Sequence, residues 1–149
     1  NKSVKNLESH LFQNLKAGLK KSKRTLRLTR LETWVSPGVP DLLLCDEQGS
    51  FHFIELKATT SNSVRLSAHQ VAWLKNHYDT SSWILIKQQK PQEQKHVLYL
   101  YQAEEAINLQ KKGLKHFPHG RFESPVSWDL IFSLISPINS DILLGTLVK

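Results

Sequence analysis

The most constraining feature of the sequence is GVPDLLLCDEQGSFHFIELKAT, residues 38–59, in which two apolar runs enclose a polar turn. Leu42–Cys45 and residues 51–57 have the composition of short β-strands. Residues 46–49, Asp-Glu-Gln-Gly, are typical of the turn that joins two antiparallel strands. The stretch therefore predicts a β-hairpin, and any fold for this chain must contain a sheet that includes it.

Three charged residues lie on this hairpin: Asp41 at the start of the first strand, and Glu55 and Lys57 near the end of the second. Because side chains alternate along a strand, Glu55 and Lys57 project from the same face. Asp41 lies close to Glu55 if the two strands pair as the turn indicates. Two carboxylates in a partly buried place repel each other, and one takes up a proton unless a cation holds both ionised.

A hard divalent ion such as Mg²⁺ suits these carboxylates, because it takes oxygen ligands and tolerates a site with only one or two acidic side chains. Such an ion lowers the pKa of bound water and neutralises charge that develops on a phosphodiester. Lys57 would orient or help deprotonate the attacking water, or stabilise the pentavalent phosphorus. The hairpin thus predicts metal-assisted hydrolysis, although each charged residue alone also fits a turn or an exposed strand edge.

Hydrophobic periodicity along the rest of the chain predicts alternating helices and strands. The predicted order is a helix at 4–19, a strand at 26–34, the hairpin, a helix at 67–78, strands at 83–87 and 97–101, a helix at 103–112, and an apolar helix near 127–135. A strand-helix-strand succession requires a crossover connection, so we expect a mixed sheet with helices on its faces. The expected fold class is α/β.

The length of 149 residues fits one domain, expected to span 1–149 with a core at about 3–101 and a C-terminal helical extension at about 102–149. No apolar run approaches the ~18 residues of a transmembrane helix, and the first residues lack the apolar segment of a signal peptide. We therefore expect no membrane partner and a cytoplasmic rather than a secreted protein. The single Cys45 excludes an internal disulfide.

The net charge of +7 indicates a polyanionic partner, and seven basic residues with no acid among them fall between positions 16 and 30. Nucleic acid is the first candidate, while a solvated loop that only aids solubility is the alternative. The side chains expected to contact DNA phosphates are Lys20, Lys21, Lys23, Arg24, Arg27 and Arg30, together with Arg65 and Lys87 near the hairpin.

A family resemblance follows from these residues. Pro40-Asp41, thirteen intervening residues and then Glu55-Leu56-Lys57 resemble the signature of PD-(D/E)XK nucleases. The segments GVPDLLLC, FIELK and LSAHQVAWL are similar, more narrowly, to the VRR-NUC type of small nuclease, which is akin to Holliday-junction resolvases. The resemblance covers roughly residues 3–87 and implies a restriction-endonuclease-like αβββαβ core.

The resemblance also implies a role for each matching position. Asp41 and Glu55 would bind Mg²⁺, or Mn²⁺ in its place, together with the backbone carbonyl of Leu56 and the carboxylate of Glu8. Lys57 would be the catalytic lysine. Gln70 would position the water or the scissile phosphate, although a capping box with Ser67 explains that glutamine equally well.

The position of Glu8 has support that does not depend on the resemblance. At ~100° per residue, Glu8 falls inside the apolar arc of the first helix, which is defined by Val4, Leu7, Leu11, Leu15 and Leu19. A carboxylate there is costly to bury without a partner. A metal ion or Lys57 would serve as that partner, and so would a structural arginine.

The expected activity is that of a Mg²⁺-dependent endodeoxyribonuclease acting by in-line attack of water on a phosphodiester. By analogy with the small relatives, the favoured substrate is branched DNA such as a four-way junction or a flap, and a homodimer would match the symmetry of a junction. One alternative is a restriction-type or DNA-degrading nuclease that acts on linear duplex. Another is a DNA-binding module without catalysis, whose acids are structural.

Overall fold

The structure is a computed structural model and describes residues 3–31 and 36–138. Within these residues six strands form one sheet in the order of the chain, and four helices pack on it. The strands are β1 (Arg27–Arg30), β2 (Leu42–Cys45), β3 (Phe51–Thr59), β4 (Ser82–Gln88), β5 (Val97–Gln102) and β6 (Gly120–Glu123). The helices are α1 (Val4–Lys21), α2 (Ala68–Asn76), α3 (Ala106–Lys112) and α4 (Trp128–Ile135).

The sheet is mixed, as the sequence predicts. Strands β3 and β4 are parallel, with α2 between them as the crossover, and every other neighbouring pair is antiparallel. Helices α1 and α4 cover one face, where Leu11 and Phe132 join a core with alternate residues of the central strands. Helices α2 and α3 cover the other face, where Leu74 and Leu109 are buried. The α/β prediction is confirmed.

Two parts of the predicted element list need correction. The C-terminal extension, predicted to be helical, contains strand β6, whose backbone pairs with β5 at the edge of the sheet although Gly120 and the Pro residues around it are turn formers. The described part of the extension therefore consists of α3, β6 and α4 rather than of helices alone. Strand β1 is shorter than the predicted 26–34, and residues 32–35 lie outside the described residues.

Helix α1 begins at an N-cap, since the Ser3 hydroxyl accepts a hydrogen bond from the Asn6 N–H at 3.2 Å. Its apolar stripe is buried against the sheet. Near its C-terminal end, Gly18 leaves room for Trp128 of α4, and a Cβ on Gly18 would lie 2.7 Å from the Trp128 Cβ. The close approach of α1 and α4 therefore depends on this glycine.

A buried polar cluster ties the β2–β3 turn to the end of α4. The Asp46 Oδ2 accepts from the Ser136 hydroxyl at 2.8 Å and lies 2.8 Å from the His52 Nε2. Its Oδ1 accepts from the backbone N–H groups of Gln48 and Ser50, both at 2.9 Å. Burial disfavours the charged form, but these hydrogen bonds outweigh it and hold the pKa of Asp46 far below its usual range.

Candidate active site

The candidate site forms where β2 begins beside β3. The last paired residues are Leu42 and Ile54, whereas β3 continues to Thr59, so the outer edge of its second half has no β2 partner. Carboxylate side chains make hydrogen bonds with the backbone groups at this edge. The Leu56 N–H donates to the Asp41 Oδ2 at 2.8 Å, and the backbone of Ala58 makes a hydrogen bond with Glu8.

Asp41 and Glu55 come together through the register of the hairpin. Leu42 is paired with Ile54, so Asp41 falls one position further along, opposite Glu55. Glu55 is only 3% exposed. Burial, together with the negative charge and hydrogen bond of Asp41, raises the pKa of Glu55 to about 9. The two carboxylates are thus in direct contact in a desolvated place, as the sequence predicts.

Lys57 lies on the same strand two residues after Glu55 and is half-buried. Its positive charge lowers the pKa of Glu55 and also that of Glu8, which shows that both carboxylates lie within its electrostatic reach. Burial nevertheless raises the pKa of Glu8 above its ordinary value, and Asp41 raises it too. Of the partners that the sequence leaves open for Glu8, the structure therefore supplies Lys57.

Gln70 serves the start of α2 and the site together. The capping box with Ser67 is confirmed, because the Gln70 Oε1 accepts from the Ser67 N–H at 2.9 Å and the Ser67 hydroxyl accepts from the Gln70 N–H at 3.1 Å. With its oxygen held in the cap, the amide turns its nitrogen toward the sheet. The Gln70 Nε2 lies 3.4 Å from the Glu55 Oε2, to which it donates.

The loop that precedes Asp41 is fixed against the start of α2. Gly38 has a φ of +90°, a conformation that favours glycine, and a Cβ there would collide with the backbone carbonyl of His69. Pro40 is buried next to it. Asp41 and Gln70 therefore reach Glu55 from two segments that pack directly on each other.

The oxygen atoms at the site are suitable ligands for a hard divalent cation. Asp41 and Glu55 place two carboxylates in contact, one of them with a strongly raised pKa, and a positive ion would relieve that repulsion. The N–H and C=O of a strand residue point toward the same neighbour, so the Leu56 carbonyl faces the gap that Asp41 occupies. Among the described residues no group of three or more His, Cys, Asp or Glu side chains is arranged to hold a metal. An ion here would therefore depend on the Asp41–Glu55 pair, with carbonyl, water or substrate oxygens completing its shell.

Two clefts reach the site from opposite sides. One of about 300 Å³ includes Glu8, Asp41 and Arg30 in its lining. The other, of about 710 Å³, includes Lys57 and Gln70, with the exposed Arg65 at its wall. Asp41 and Glu8 are thus accessible from solvent, as are Lys57 and Gln70, whereas Glu55 lies buried between the two clefts and lines neither of them.

The structure separates the expected DNA contacts into two groups. Exposed side chains that a polyanion could reach are Lys20, Lys21, Lys23, Arg27, Arg30 and Arg65. Arg24 is a correction: its guanidinium pairs with Glu47 and donates to the Ser136 carbonyl at 2.6 Å, so it holds the end of α4. Lys87 is a second correction: it is 6% exposed on the face under α1, and its Nζ donates to the Asn14 Oδ1 at 3.3 Å.

No protein-family model matches the chain, and no characterised protein matches its sequence. Among the described residues, none of the helices has both the length and the apolar character that a membrane span requires.

Proposed function

We propose that the protein is a divalent-metal-dependent nuclease that hydrolyses phosphodiester bonds of DNA. The observation that carries the proposal is the contact of Asp41 with the buried Glu55 beside Lys57, at an edge of the sheet that two clefts reach. A pKa of about 9 means that Glu55 holds a proton at neutral pH when no cation is bound, and a strongly shifted carboxyl beside a cleft is a candidate functional group. A bound divalent ion would take the place of that proton.

The order α1-β1-β2-β3-α2-β4 supports the same proposal, because it follows the αβββαβ core that the sequence resemblance implies. The matching residues support it too, because Asp41, Lys57, Glu8 and Gln70 each make a hydrogen bond with Glu55 or act on its charge. The proposal of a restriction-endonuclease-like nuclease thus depends on the motif and the geometry together.

The roles of the residues follow from their positions. Asp41, Glu55 and the Leu56 carbonyl would hold Mg²⁺, with Mn²⁺ as a substitute, and Glu8 would add negative charge from the side of α1. When bound, the ion would supply an activated water and neutralise charge on the phosphate. Lys57 would orient that water or stabilise the developing negative charge. Gln70 would fix the orientation of the Glu55 carboxylate through its amide.

The proposal is tested with labelled linear duplex, flap and four-way DNA, each incubated with Mg²⁺ or with EDTA. We expect metal-dependent cutting and a loss of at least ~10²-fold in rate for Glu55→Gln and for Lys57→Met. The control variants are Glu93→Gln and Lys95→Met, which make the same changes on the exposed β4–β5 connection and should cut like wild type.

The possible outcomes separate the parts of the proposal. Absence of metal-dependent cutting on every substrate would contradict the enzymatic function and leave the alternative of a DNA-binding module. Equal cutting of linear and branched DNA would contradict structure specificity, which the resemblance alone suggests. Homodimerisation is tested by the mass of the protein in solution, with and without a four-way junction.

A further inference from the structure

A stripe of side chains on α1 leads away from the site. Glu8, Phe12, Lys16 and Lys20 follow one another at intervals of four residues, so they lie in one row along the helix. Each step advances ~6 Å along the axis. The row therefore starts at the carboxylate that contacts Ala58 and ends in the last turn of α1, where the side chains are exposed and basic.

Strand β1 and the residue before it form the facing wall. Leu26, Leu28 and Arg30 alternate along the chain and all line the same groove of about 470 Å³, together with Phe12, Lys16, Leu19 and Lys20 of α1. Phe12 and Arg30 also line the cleft that contains Asp41. The groove and the site are thus continuous.

Phe12 organises the basic groups where groove and cleft meet. The Lys16 Nζ lies 5.1 Å from the centroid of the Phe12 ring, and the Arg30 Cζ lies 5.0 Å from it. Both distances fall within the range of a cation–π interaction. The aromatic ring therefore holds two cations at the junction, next to the carboxylates that would carry out the chemistry.

The chemistry of the groove indicates what it binds. Its floor is apolar, from Leu19, Leu26 and Leu28, its rim carries three cations, and none of the described residues that line it is acidic. A duplex presents its phosphates and hides the faces of its bases, so it would leave the apolar floor uncovered. An unpaired strand offers phosphates and base faces together, which is the combination that single-strand grooves use.

We propose that the groove between α1 and β1 binds single-stranded DNA and that the substrate carries an unpaired segment beside the bond that is cut. This inference rests on the proposed nuclease function for its biological meaning. The binding itself needs neither metal nor cleavage, so it is measured separately.

The first experiment measures the fluorescence anisotropy of one labelled oligonucleotide, single-stranded and as a duplex, with the whole protein in EDTA. We expect the single strand to bind on the order of tenfold more tightly, and the double variant Lys16→Ala/Arg30→Ala to lose on the order of tenfold of that affinity. The salt dependence should weaken by ~0.7 in logarithmic slope for each phosphate contact removed. Lys111→Ala/Lys112→Ala, which removes two exposed charges from α3 on the opposite face of the sheet, is the matched control.

The second experiment locates the strand. An oligonucleotide with a photoreactive thymine analogue is cross-linked, and the modified residues are identified by mass spectrometry. We expect cross-links within residues 12–30, and Phe12→Leu, which keeps an apolar side chain, should reduce single-strand affinity roughly threefold because the cation–π contacts are lost. The melting temperature of each variant establishes that it is folded.

Equal affinity for single strand and duplex, or cross-links confined to other surfaces, would overturn the inference. Cutting of DNA that is unaffected by the groove variants would also overturn it while the proposed function stands. Conversely, groove-dependent single-strand binding with no cutting under any metal condition would support the assignment of the groove to single-stranded DNA and contradict the proposed nuclease function.

Discussion

The Gln70 amide donates to the Glu55 carboxylate, with 3.4 Å between Nε2 and Oε2, while the oxygen of the same amide caps helix α2. One side chain therefore couples the start of α2 to the candidate site. Any change that frees the amide acts on both, so substitutions at this position need a variant that keeps the cap.

Gln70→Glu is that variant, because glutamate also accepts from the N-cap backbone. It replaces the donor that faces Glu55 by a carboxylate. Below pH 7 the protonated Glu55 tolerates this neighbour, but as the pH rises toward 9 the two charges repel. We expect Gln70→Glu to lose stability relative to wild type progressively from pH 6 to pH 9 in thermal melts with EDTA. Gln70→Ala removes the side-chain half of the capping box and the donor to Glu55 but adds no charge, so it should instead cost about 1 kcal/mol without the further loss toward pH 9 that a second carboxylate causes.

The raised pKa of Glu55 predicts how the stability of the metal-free protein depends on pH. Its pKa is raised to about 9 in the folded state, so the folded protein holds a proton that the unfolded chain releases near its ordinary pKa of 4.5. The stability from this group is fully present below that lower value and is lost as the pH rises toward 9. Relative to Glu55→Gln, wild type should lose up to about 1.4 kcal/mol per pH unit within this window, measured by urea unfolding in EDTA. Parallel curves for the two proteins would contradict the burial of a titrating carboxylate.

Binding of Mg²⁺ should be coupled to the same proton. A cation at the Asp41–Glu55 pair requires the ionised form of Glu55, so metal binding releases a proton and the affinity should rise with pH, up to tenfold per unit below the pKa of Glu55. Thermal melts with and without Mg²⁺ should therefore show a larger shift at pH 8.5 than at pH 6.5. Asp41→Asn keeps an oxygen for the Leu56 N–H but lacks the charge, and its melting temperature should not respond to the ion.

Part of the hairpin geometry could be predicted from the sequence because it depends on local rules. Alternation along β3 places Glu55 and Lys57 on one face, and the turn residues indicate antiparallel pairing. The register that brings Asp41 opposite Glu55 could not be read from the sequence and comes from the structure. The capping box of α2 is equally local, since Ser67 and Gln70 are three residues apart. These rules need no knowledge of the rest of the fold.

Tertiary packing determines what the sequence could not predict. Charge alone does not distinguish Lys20, which is exposed, from Lys87, whose ammonium lies under α1 beside Asn14. The row of residues at four-residue intervals on α1 is visible in the sequence, but the wall that makes it a groove comes from β1. Strand β6 forms by pairing with the open edge of β5, which is a tertiary contact. The turn-forming residues around β6 indicate a loop when only local sequence is considered.

The packing of α1 on α4 is tested at Gly18. By helix propensity alone, Gly18→Ala should stabilise α1 by about 1 kcal/mol. The added Cβ would, however, lie 2.7 Å from the Trp128 Cβ, so we expect destabilisation by about 1–3 kcal/mol. The exposed neighbour provides the control, since Ala17→Gly should cost about 1 kcal/mol through propensity. Urea unfolding that shows Gly18→Ala to be more stable than wild type would mean that the two helices do not pack as described.

The Asp46 cluster gives a prediction for the end of the hairpin remote from the site. Asp46→Ala removes the acceptor of two backbone N–H groups and of the Ser136 hydroxyl, and it leaves His52 without its buried partner. Leaving such donors unsatisfied should cost about 3 kcal/mol at pH 7, measured by urea unfolding.

The same contribution should depend on pH. Because hydrogen bonding lowers the pKa of Asp46, the stability that this carboxylate contributes is present above the ordinary pKa of 3.8 and is lost as the pH falls toward the lower folded value. The contribution of the Asp46 carboxylate to the difference between wild type and Asp46→Ala should therefore be constant from pH 7 to pH 5, and it should shrink only below about pH 4. A Mg²⁺-dependent thermal shift that survives in Asp46→Ala would establish that the cluster supports the fold without taking part in metal binding, whereas loss of that shift in a folded variant would contradict the separation of the two ends of the hairpin.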